Sequence, residues 1–263
     1  MLRFKQYYKV ETMDEAYELN QKKANHIMAG NLWLRLQNRT IGGVIDLSGL
    51  GLDQIEETED AFVIGAMVTL RQMEQSKALS EYLGGAAKES VRHIVGVQFR
   101  NLATVGGSLY GRYGFSDVLT IFLALGARVK LYKAGEVALS DYVNQKPDRD
   151  VIEAVILPKQ VEGCSYQCIR NSQTDFPVLT CCVAKVNGRY QTAIGARPGR
   201  AVLFTDEDSI LSGSITEETA DAFAQKVENT IVTGTNYRAG ADYRRKMARV
   251  LTRRGVLEIG KEV

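Results

Sequence analysis

The chain alternates between two hydrophobic patterns, one typical of helices and one typical of strands. After Thr12 the apolar residues recur at helical spacing, and Glu15 stands three positions later, as in a capping box. Helices are predicted at 12–26, from Thr69 onward, and at 83–95, 117–125, 216–229 and 241–255. Apolar runs and alternation predict strands at 44–47, 61–66, 127–132, 135–139, 151–157, 165–170, 177–186 and 190–196. The acid-rich stretch 54–60 predicts a solvated turn.

The last hundred residues carry the clearest hairpin signal. Asn187-Gly188 separates two apolar runs, and this dipeptide favours the two-residue turn of an antiparallel hairpin. A boundary is predicted near Pro158. The Arg and Lys residues of the final predicted helix indicate a basic outer face, which is either solvated or docks another subunit. Its members are Arg244, Arg245, Lys246, Arg249, Arg253 and Arg254.

A glycine-rich segment at 96–117 lies directly before the apolar run 118–125. Glycine permits positive φ and lets a ligand approach the backbone closely. A loop with free N–H groups at a helix start suits an anion such as pyrophosphate. Asp117 is placed either to cap the following helix or to accept hydrogen bonds from sugar-like hydroxyls. The segment therefore predicts contact with a phosphorylated, hydroxylated cofactor.

A second candidate phosphate loop is the Ala29-Gly30-Asn31 turn, between a predicted strand and a predicted helix over 26–35. A single glycine is a weak signal, since most such junctions hold no ligand. Trp33 reads as a core residue or a subunit contact rather than a catalytic one. His26 and His93 are the only histidines, and no spacing around them indicates a metal site.

Composition indicates an ordinary globular protein of one to three domains. The chain has 263 residues, 45% of them hydrophobic, with a formal net charge of +2. No long basic run points to nucleic acid. Neither a signal-peptide core nor an uncharged apolar run of 18 residues is present, so we expect a cytoplasmic protein without a membrane segment.

The four cysteines cluster at Cys164, Cys168, Cys181 and Cys182. Their spacing lacks the pair separated by two residues that usually opens a zinc or iron–sulfur site, so buried thiols are expected. The chain also lacks a Gly-x-Ser-x-Gly elbow and a His-Glu-x-x-His pair. The chain offers two candidate phosphate-binding loops and no evident catalytic acid, base or nucleophile. This combination indicates a protein whose bound cofactor does the chemistry.

The central segment resembles the FAD-binding subunit of the molybdenum hydroxylases, the group of xanthine, carbon monoxide and nicotinate dehydrogenases. The resemblance covers nearly the whole chain, and the central segment is its most specific part. It rests on R-N-L-A-T-V-G-G-S-L at 100–109, S-D-V-L at 116–119 and A-L-G-A at 124–127, supported by M-A-G-N at 28–31 and Y-R-A-G-A-D-Y-R-R at 237–245.

The resemblance implies an α+β chain. Two subdomains, 1–58 and 59–160, would form a FAD-binding fold of the vanillyl-alcohol-oxidase/PCMH type. A C-terminal domain of antiparallel sheet and helices, 161–263, would follow. Backbone N–H groups of residues 28–33 and 104–108 would hold the pyrophosphate, Asp117 would accept from the ribityl hydroxyls, and Ile94 and Ile152 would touch the rings. The implied cofactor contacts are Met28, Ala29, Gly30, Asn31, Leu32, Trp33, Ile94, Thr104, Gly106, Gly107, Ser108, Gly111, Asp117 and Ile152.

The resemblance also implies partners. A small subunit would bring [2Fe-2S] clusters, and a large subunit would hydroxylate the substrate at a molybdenum–pterin centre. The assembly would be a heterotrimer or its dimer. This chain would carry no metal and would pass electrons through FAD to NAD⁺ or another acceptor.

Several residues depart from the family pattern. Leu32-Trp33 stand where Thr and an acid are usual, Ser108 replaces an Asn, and Arg112-Tyr113-Gly114 replace Ala-Ser-Pro. Arg112 and Tyr113 would lie near the flavin and could alter the access of NAD⁺. Two alternatives stay open: a scaffold subunit without FAD, and a stand-alone flavin oxidoreductase.

Overall fold

The computed structural model describes residues 1–261, and its first layer is a small parallel sheet. The strands β1 (Arg3–Lys9), β2 (Asn25–Met28) and β3 (Thr40–Asp46) lie in the order β1-β3-β2. Helix α1 (Met13–Gln21) begins at Thr12, whose side chain accepts from the Glu15 N–H. The predicted helix 12–26 is therefore too long, because residues 25–28 pair with β3 instead. Strand β1 was not predicted, and its residues are almost all exposed.

The second layer is a five-stranded antiparallel sheet. Its strands are β4 (Ile55–Glu57), β5 (Ala61–Gly65), β6 (Arg128–Leu131), β7 (Gly135–Ala138) and β8 (Ile152–Pro158), in the order β4-β5-β8-β6-β7. The predicted turn at 54–60 thus contains a short exposed strand, which pairs with β5.

Seven helices connect the strands of this second sheet. They are α2 (Leu70–Gln75), α3 (Lys77–Tyr82), α4 (Ala86–Val91), α5 (Val97–Arg100), α6 (Val105–Gly111), α7 (Asp117–Ala124) and α8 (Leu139–Tyr142). Thr69 forms a full capping box with Gln72 and so begins α2, as predicted. The predicted helix 83–95 is reduced to α4, since Gly84 and Gly85 have positive φ and Val95 lies in the left-handed region.

The third layer is the antiparallel sheet of β9 (Val161–Arg170), β10 (Pro177–Val186), β11 (Arg189–Gly195) and β12 (Val202–Thr205). The Asn187-Gly188 hairpin is confirmed, with φ of 50° and 75° at its two turn residues. Helices α9 (Glu217–Thr230) and α10 (Ala241–Ile259) follow. Strand β10 is buried on both faces, because α7 packs on one side of the sheet and α10 on the other.

The basic face predicted for α10 is wrong at Arg244. This side chain is fully buried, and its guanidinium donates to the carbonyls of Val178 (2.9 Å), Gly234 (2.7 Å) and Ala239 (2.6 Å) and to Asn236 Oδ1 (2.6 Å). From the first turn of α10 the side chain reaches three acceptors in the loop before the helix and a fourth, the Val178 carbonyl, in β10.

The cysteine prediction is confirmed for Cys181 and Cys182, which are buried on opposite faces of β10. Burial raises the pKa of the Cys181 thiol to about 11. Cys164 and Cys168 are partly exposed. Within residues 1–261 no helix combines the length and apolarity needed to cross a membrane. The three-domain division stays a prediction. The first and third sheets each fall within one of its ranges, whereas β4 of the second sheet lies before residue 59, inside the first range.

Candidate functional site: a cleft beside helices α6 and α7

The middle of the central glycine-rich segment is a helix and not a loop. Residues 105–111 form α6, and Thr104 caps it by accepting from the Gly107 N–H at 3.1 Å. Gly106 is required by packing, because a Cβ there would lie 2.7 Å from the Ala66 carbonyl oxygen. Asp117 is not the cap of α7: Ser116 is, through its Oγ and the Leu119 N–H at 3.0 Å. Asp117 is the first helical residue instead.

The backbone N–H groups of α6 are already engaged within the chain. Those of Val105 and Gly106 donate to the carbonyls of Val68 and Ala66, both at 2.9 Å, while that of Ser108 donates to the Thr104 carbonyl. The pyrophosphate role expected for these amides is therefore not supported. The Thr104 hydroxyl acts as an acceptor for Gly107, so its own proton remains available to donate.

The first loop, residues 29–33, has the opposite character. The N–H groups of residues 30–33 have no acceptor within the described part of the chain. The loop lies against the second subdomain: a Cβ on Gly30 would stand 1.8 Å from the Leu102 carbonyl oxygen, and Ala29 Cβ is 3.4 Å from the Cβ position of Gly107. This close approach explains why residue 30 is a glycine. The amides of the loop remain free to donate to a ligand.

A cleft of about 400 Å³ opens where this loop meets α6, α7 and the β9–β10 connection. Eleven of the fourteen predicted contacts line it: Ala29, Gly30, Asn31, Leu32, Trp33, Ile94, Thr104, Gly107, Ser108, Gly111 and Asp117. Met28, Gly106 and Ile152 do not line it. Met28 pairs with β3, Gly106 packs on Ala66, and Ile152 lies in β8 opposite Leu131.

Asp117 is the most constrained side chain of the cleft. It is only 4% exposed, and its Oδ1 accepts from the Tyr166 hydroxyl and from Arg170 Nη2, both at 2.6 Å. Its Oδ2 has no partner in residues 1–261 and is not among the fully enclosed atoms. Burial raises the pKa of Asp117, and the adjacent Arg170 charge opposes that rise. One carboxylate oxygen therefore remains to accept from a ligand.

An aromatic cluster covers one end of the cleft. Trp33, Tyr113, Phe115 and Phe176 come from three separate loops, and neighbouring ring centroids are 4.5 to 6.1 Å apart. Tyr113 and Phe115 are stacked with an interplanar angle of 6°. Trp33 is therefore a cleft residue, 38% exposed. Such rings form an apolar surface for a planar ligand.

Arg112, expected beside the flavin, lies elsewhere. Its guanidinium stands 4.1 Å above the Tyr142 ring and donates to the Gln145 carbonyl. Its backbone takes the left-handed conformation, with φ of 46°, at the end of α6. That turn carries the side chain away from the cleft, which it does not line.

The cleft contains polar atoms that the chain leaves unsatisfied. Four buried side-chain atoms in residues 1–261 have no hydrogen-bond partner, and three belong to cleft residues: His26 Nδ1, Asn31 Oδ1 and Arg170 Nε. Buried polar groups are normally paired. Together with the donors of the first loop and the acceptor Oδ2 of Asp117, they fit a ligand that bears phosphates, hydroxyls and a planar ring system.

Sequence reasoning missed Tyr166 and Arg170, and also Arg39, which lines the cleft and lies 2.8 Å from His26 Nε2. Arg170 is 53 residues beyond Asp117, so no local spacing indicates the pair. Phe176 was missed for the same reason. Of the aromatic cluster, Trp33 and Tyr113 were expected near the cofactor, and Phe115 was not.

Comparison with known proteins identifies the family. The family described as "FAD binding domain in molybdopterin dehydrogenase" matches residues 2–160, and "CO dehydrogenase flavoprotein C-terminal domain" matches residues 164–259. The nicotine 6-hydroxylase medium subunit of Paenarthrobacter nicotinovorans is 26% identical over 232 residues, which cover 82% of each chain. The uncharacterized protein YgfM of Escherichia coli K12 is 25% identical over 252 residues, 94% of this chain and 93% of that one.

Solved structures share the fold. A Cu,Mo-CO dehydrogenase chain in its cyanide-inactivated form superposes with a TM-score of 0.86 at 22% identity, covering all of both chains. Quinoline 2-oxidoreductase from Pseudomonas putida 86 gives a TM-score of 0.84 at 19% identity, covering 100% of this chain and 98% of that one. The predicted family and fold class are confirmed. The chain therefore belongs to the family of FAD-binding subunits of the molybdenum hydroxylases.

Proposed function

We propose that this chain binds FAD in the cleft between the first loop, helices α6 and α7 and the β9–β10 connection, and connects the [2Fe-2S] clusters of a small partner subunit to NAD⁺ or another electron acceptor. FAD, when bound, supplies electron transfer in steps of one or two electrons, which matches one-electron clusters to a two-electron acceptor. Hydroxylation of the substrate would take place at the molybdenum–pterin centre of a large partner subunit. The family membership and the cleft support this role.

The first loop is the proposed pyrophosphate site. Residues 30–33 offer N–H groups that no acceptor in the described chain uses, and such groups bind phosphate oxygens well. The Thr104 hydroxyl, which faces the same cleft, adds a donor from the second subdomain. Both sides of the cleft therefore contribute donors. On the second side the donor is the hydroxyl of Thr104, the residue that caps α6, and not the amides of the helix.

Asp117 Oδ2 carries the proposal. One oxygen of this buried carboxylate accepts from two donors, and the other has no partner. The second oxygen can therefore accept hydrogen bonds from hydroxyl groups of a ligand. The ribityl chain of FAD carries several hydroxyl groups, which are donors of the kind that this oxygen accepts. Among residues 1–261 the only other carboxylate that lines the cleft is that of Asp175, which pairs with Arg238 at 2.8 Å.

The aromatic cluster is the proposed ring site. Trp33, Tyr113, Phe115 and Phe176 give this end of the cleft an apolar surface, which would exclude water from a bound ring system.

The named relatives support the assembly. One relative is a medium subunit of a nicotine hydroxylase, and structural neighbours are chains of CO dehydrogenase. We infer a heterotrimer or its dimer with a small iron–sulfur subunit and a large molybdenum–pterin subunit, working in the cytoplasm.

The test is the visible absorption spectrum of the purified chain and of the complex isolated with it, followed by acid extraction of the cofactor. Flavin bands with FAD in the extract support the proposal, and reduction of NAD⁺ becomes the next assay. A colourless complex that takes up no added FAD would favour the scaffold alternative. Substrate turnover by the isolated chain would favour the stand-alone oxidoreductase.

A further inference from the structure

The carboxylate of Asp117 belongs to the second layer of the molecule, and the side chains that bind it belong to the third. Asp117 begins α7, whereas Tyr166 and Arg170 both lie on β9 of the C-terminal sheet. All three side chains are almost completely buried, and both contacts to Oδ1 measure 2.6 Å. The two donors therefore reach across the boundary between the predicted second subdomain and the C-terminal domain.

This arrangement fixes two properties of the carboxylate. A buried carboxyl group without a counter-charge tends to hold its proton, because the charged form is poorly solvated. The Arg170 guanidinium supplies the counter-charge, and Tyr166 adds a second donor. Both donors converge on Oδ1, and the second oxygen has no hydrogen-bond partner in residues 1–261.

No other cation contacts Asp117 within the described chain. Cys168 lies nearby on β9, and burial raises the pKa of its thiol to about 11, so it stays uncharged near neutral pH. His93, after α4, is near Arg170, and burial lowers the pKa of its imidazole, which favours the neutral form there too. The charge on Asp117 thus depends on Arg170.

We propose that Arg170 and Tyr166 are positioning residues for cofactor binding, which hold Asp117 ionised and present its Oδ2 to the ribityl hydroxyls. The C-terminal sheet then takes part in FAD binding through these two side chains, although neither has to touch FAD. This inference rests on the proposed function.

The experiment is a titration of the full-length apoprotein with FAD, followed by flavin fluorescence, between pH 5.5 and 8.5. We expect the wild-type affinity to vary little with pH. In Arg170→Met the pKa of Asp117 rises further, so the affinity falls about tenfold near neutral pH, about 1.4 kcal/mol, and recovers as the pH increases. Arg170→Lys keeps the charge and restores most of the affinity. Tyr166→Phe has the same pH dependence to a smaller extent.

Arg249→Met is the matched control, since it breaks an ion pair with Asp221 in the same domain but away from the cleft. A merely structural role for Arg170 would lower thermal stability without changing the shape of the pH profile. If Arg170→Met and Tyr166→Phe give profiles parallel to that of the wild type, the inference is overturned. If Arg170→Met does not fold, Tyr166→Phe decides by the same criterion. A wild-type protein that binds no FAD at any pH would instead overturn the proposed function.

Discussion

Gly30→Ala tests the contact that shapes the cleft. An added Cβ would stand 1.8 Å from the Leu102 carbonyl oxygen and 2.5 Å from its carbonyl carbon. Real Cβ atoms essentially never come within 3.0 Å of such a neighbour, so one of the two backbones has to move by about 1.2 Å, the difference between 3.0 and 1.8 Å. Both neighbours are main chain, and neither can rotate away as a side chain would.

The expected cost follows from overpacking. Inserting one methyl group into a packed contact destabilises a protein by about 1 to 3 kcal/mol. For a chain of this size, that lowers the melting temperature by roughly 3 to 9 °C. The loop of residues 29–33 is also displaced from α6, so FAD occupancy should fall together with stability.

The assay pairs thermal unfolding, followed by circular dichroism, with the absorbance ratio of bound flavin to protein. Gly213→Ala is the control, because a Cβ at that position meets nothing within 4 Å and its φ is not in the left-handed range. If Gly30→Ala melts within a degree of Gly213→Ala and retains its flavin, the backbone contact between the two subdomains does not exist in solution, and the reasoning fails.

Three further predictions concern single side chains. Asp117→Ala should weaken FAD binding at least tenfold, since a hydrogen bond to a charged group is worth about 1.5 to 3 kcal/mol; the exposed Asp141→Ala should not, and equal flavin retention by both variants would contradict the assignment. Trp33 is the single tryptophan, so FAD should quench the intrinsic fluorescence of the apoprotein; an unchanged emission spectrum at saturating FAD would place the ring site elsewhere. Burial raises the pKa of Cys181 to about 11, so the thiol stays neutral in the folded state, while the unfolded thiol ionises near pH 9. The free energy of unfolding should therefore fall as the pH rises from about 9 to about 11. Cys181→Ala should flatten the pH dependence of unfolding in that range.

Local sequence signals predicted local structure well. The capping box at Thr69, the helix start at Thr216 and the Asn187-Gly188 turn each depend on neighbours within four residues, and all three are found. Strand β1 was not predicted because its residues are exposed and do not alternate between apolar and polar positions. Its position is set by pairing with β3, which lies some 37 residues further along the chain.

The candidate site divides in the same way. The first loop and Asp117 were predicted from their residue types and their resemblance to a family. The helical state of 105–111 was not, because glycine has a poor helix propensity. Tertiary packing overrides it: Gly106 is held against Ala66, and the segment gains the hydrogen bonds of a helix. Arg170 and Tyr166 were beyond reach, since their role depends on how β9 packs on α7.

Arg244 has a consequence for how this chain can vary. Three of its four acceptors are main-chain carbonyls, and a carbonyl cannot be exchanged for a better-matched group. Loss of Arg244 therefore has no compensating second substitution among its partners. The ion pairs of Arg249 are different, because its partners Asp221 and Glu228 are side chains that can change together with it. We expect substitutions at positions 221 and 249 to occur together. Position 244 should remain arginine, even where the neighbouring basic residues of α10 are replaced.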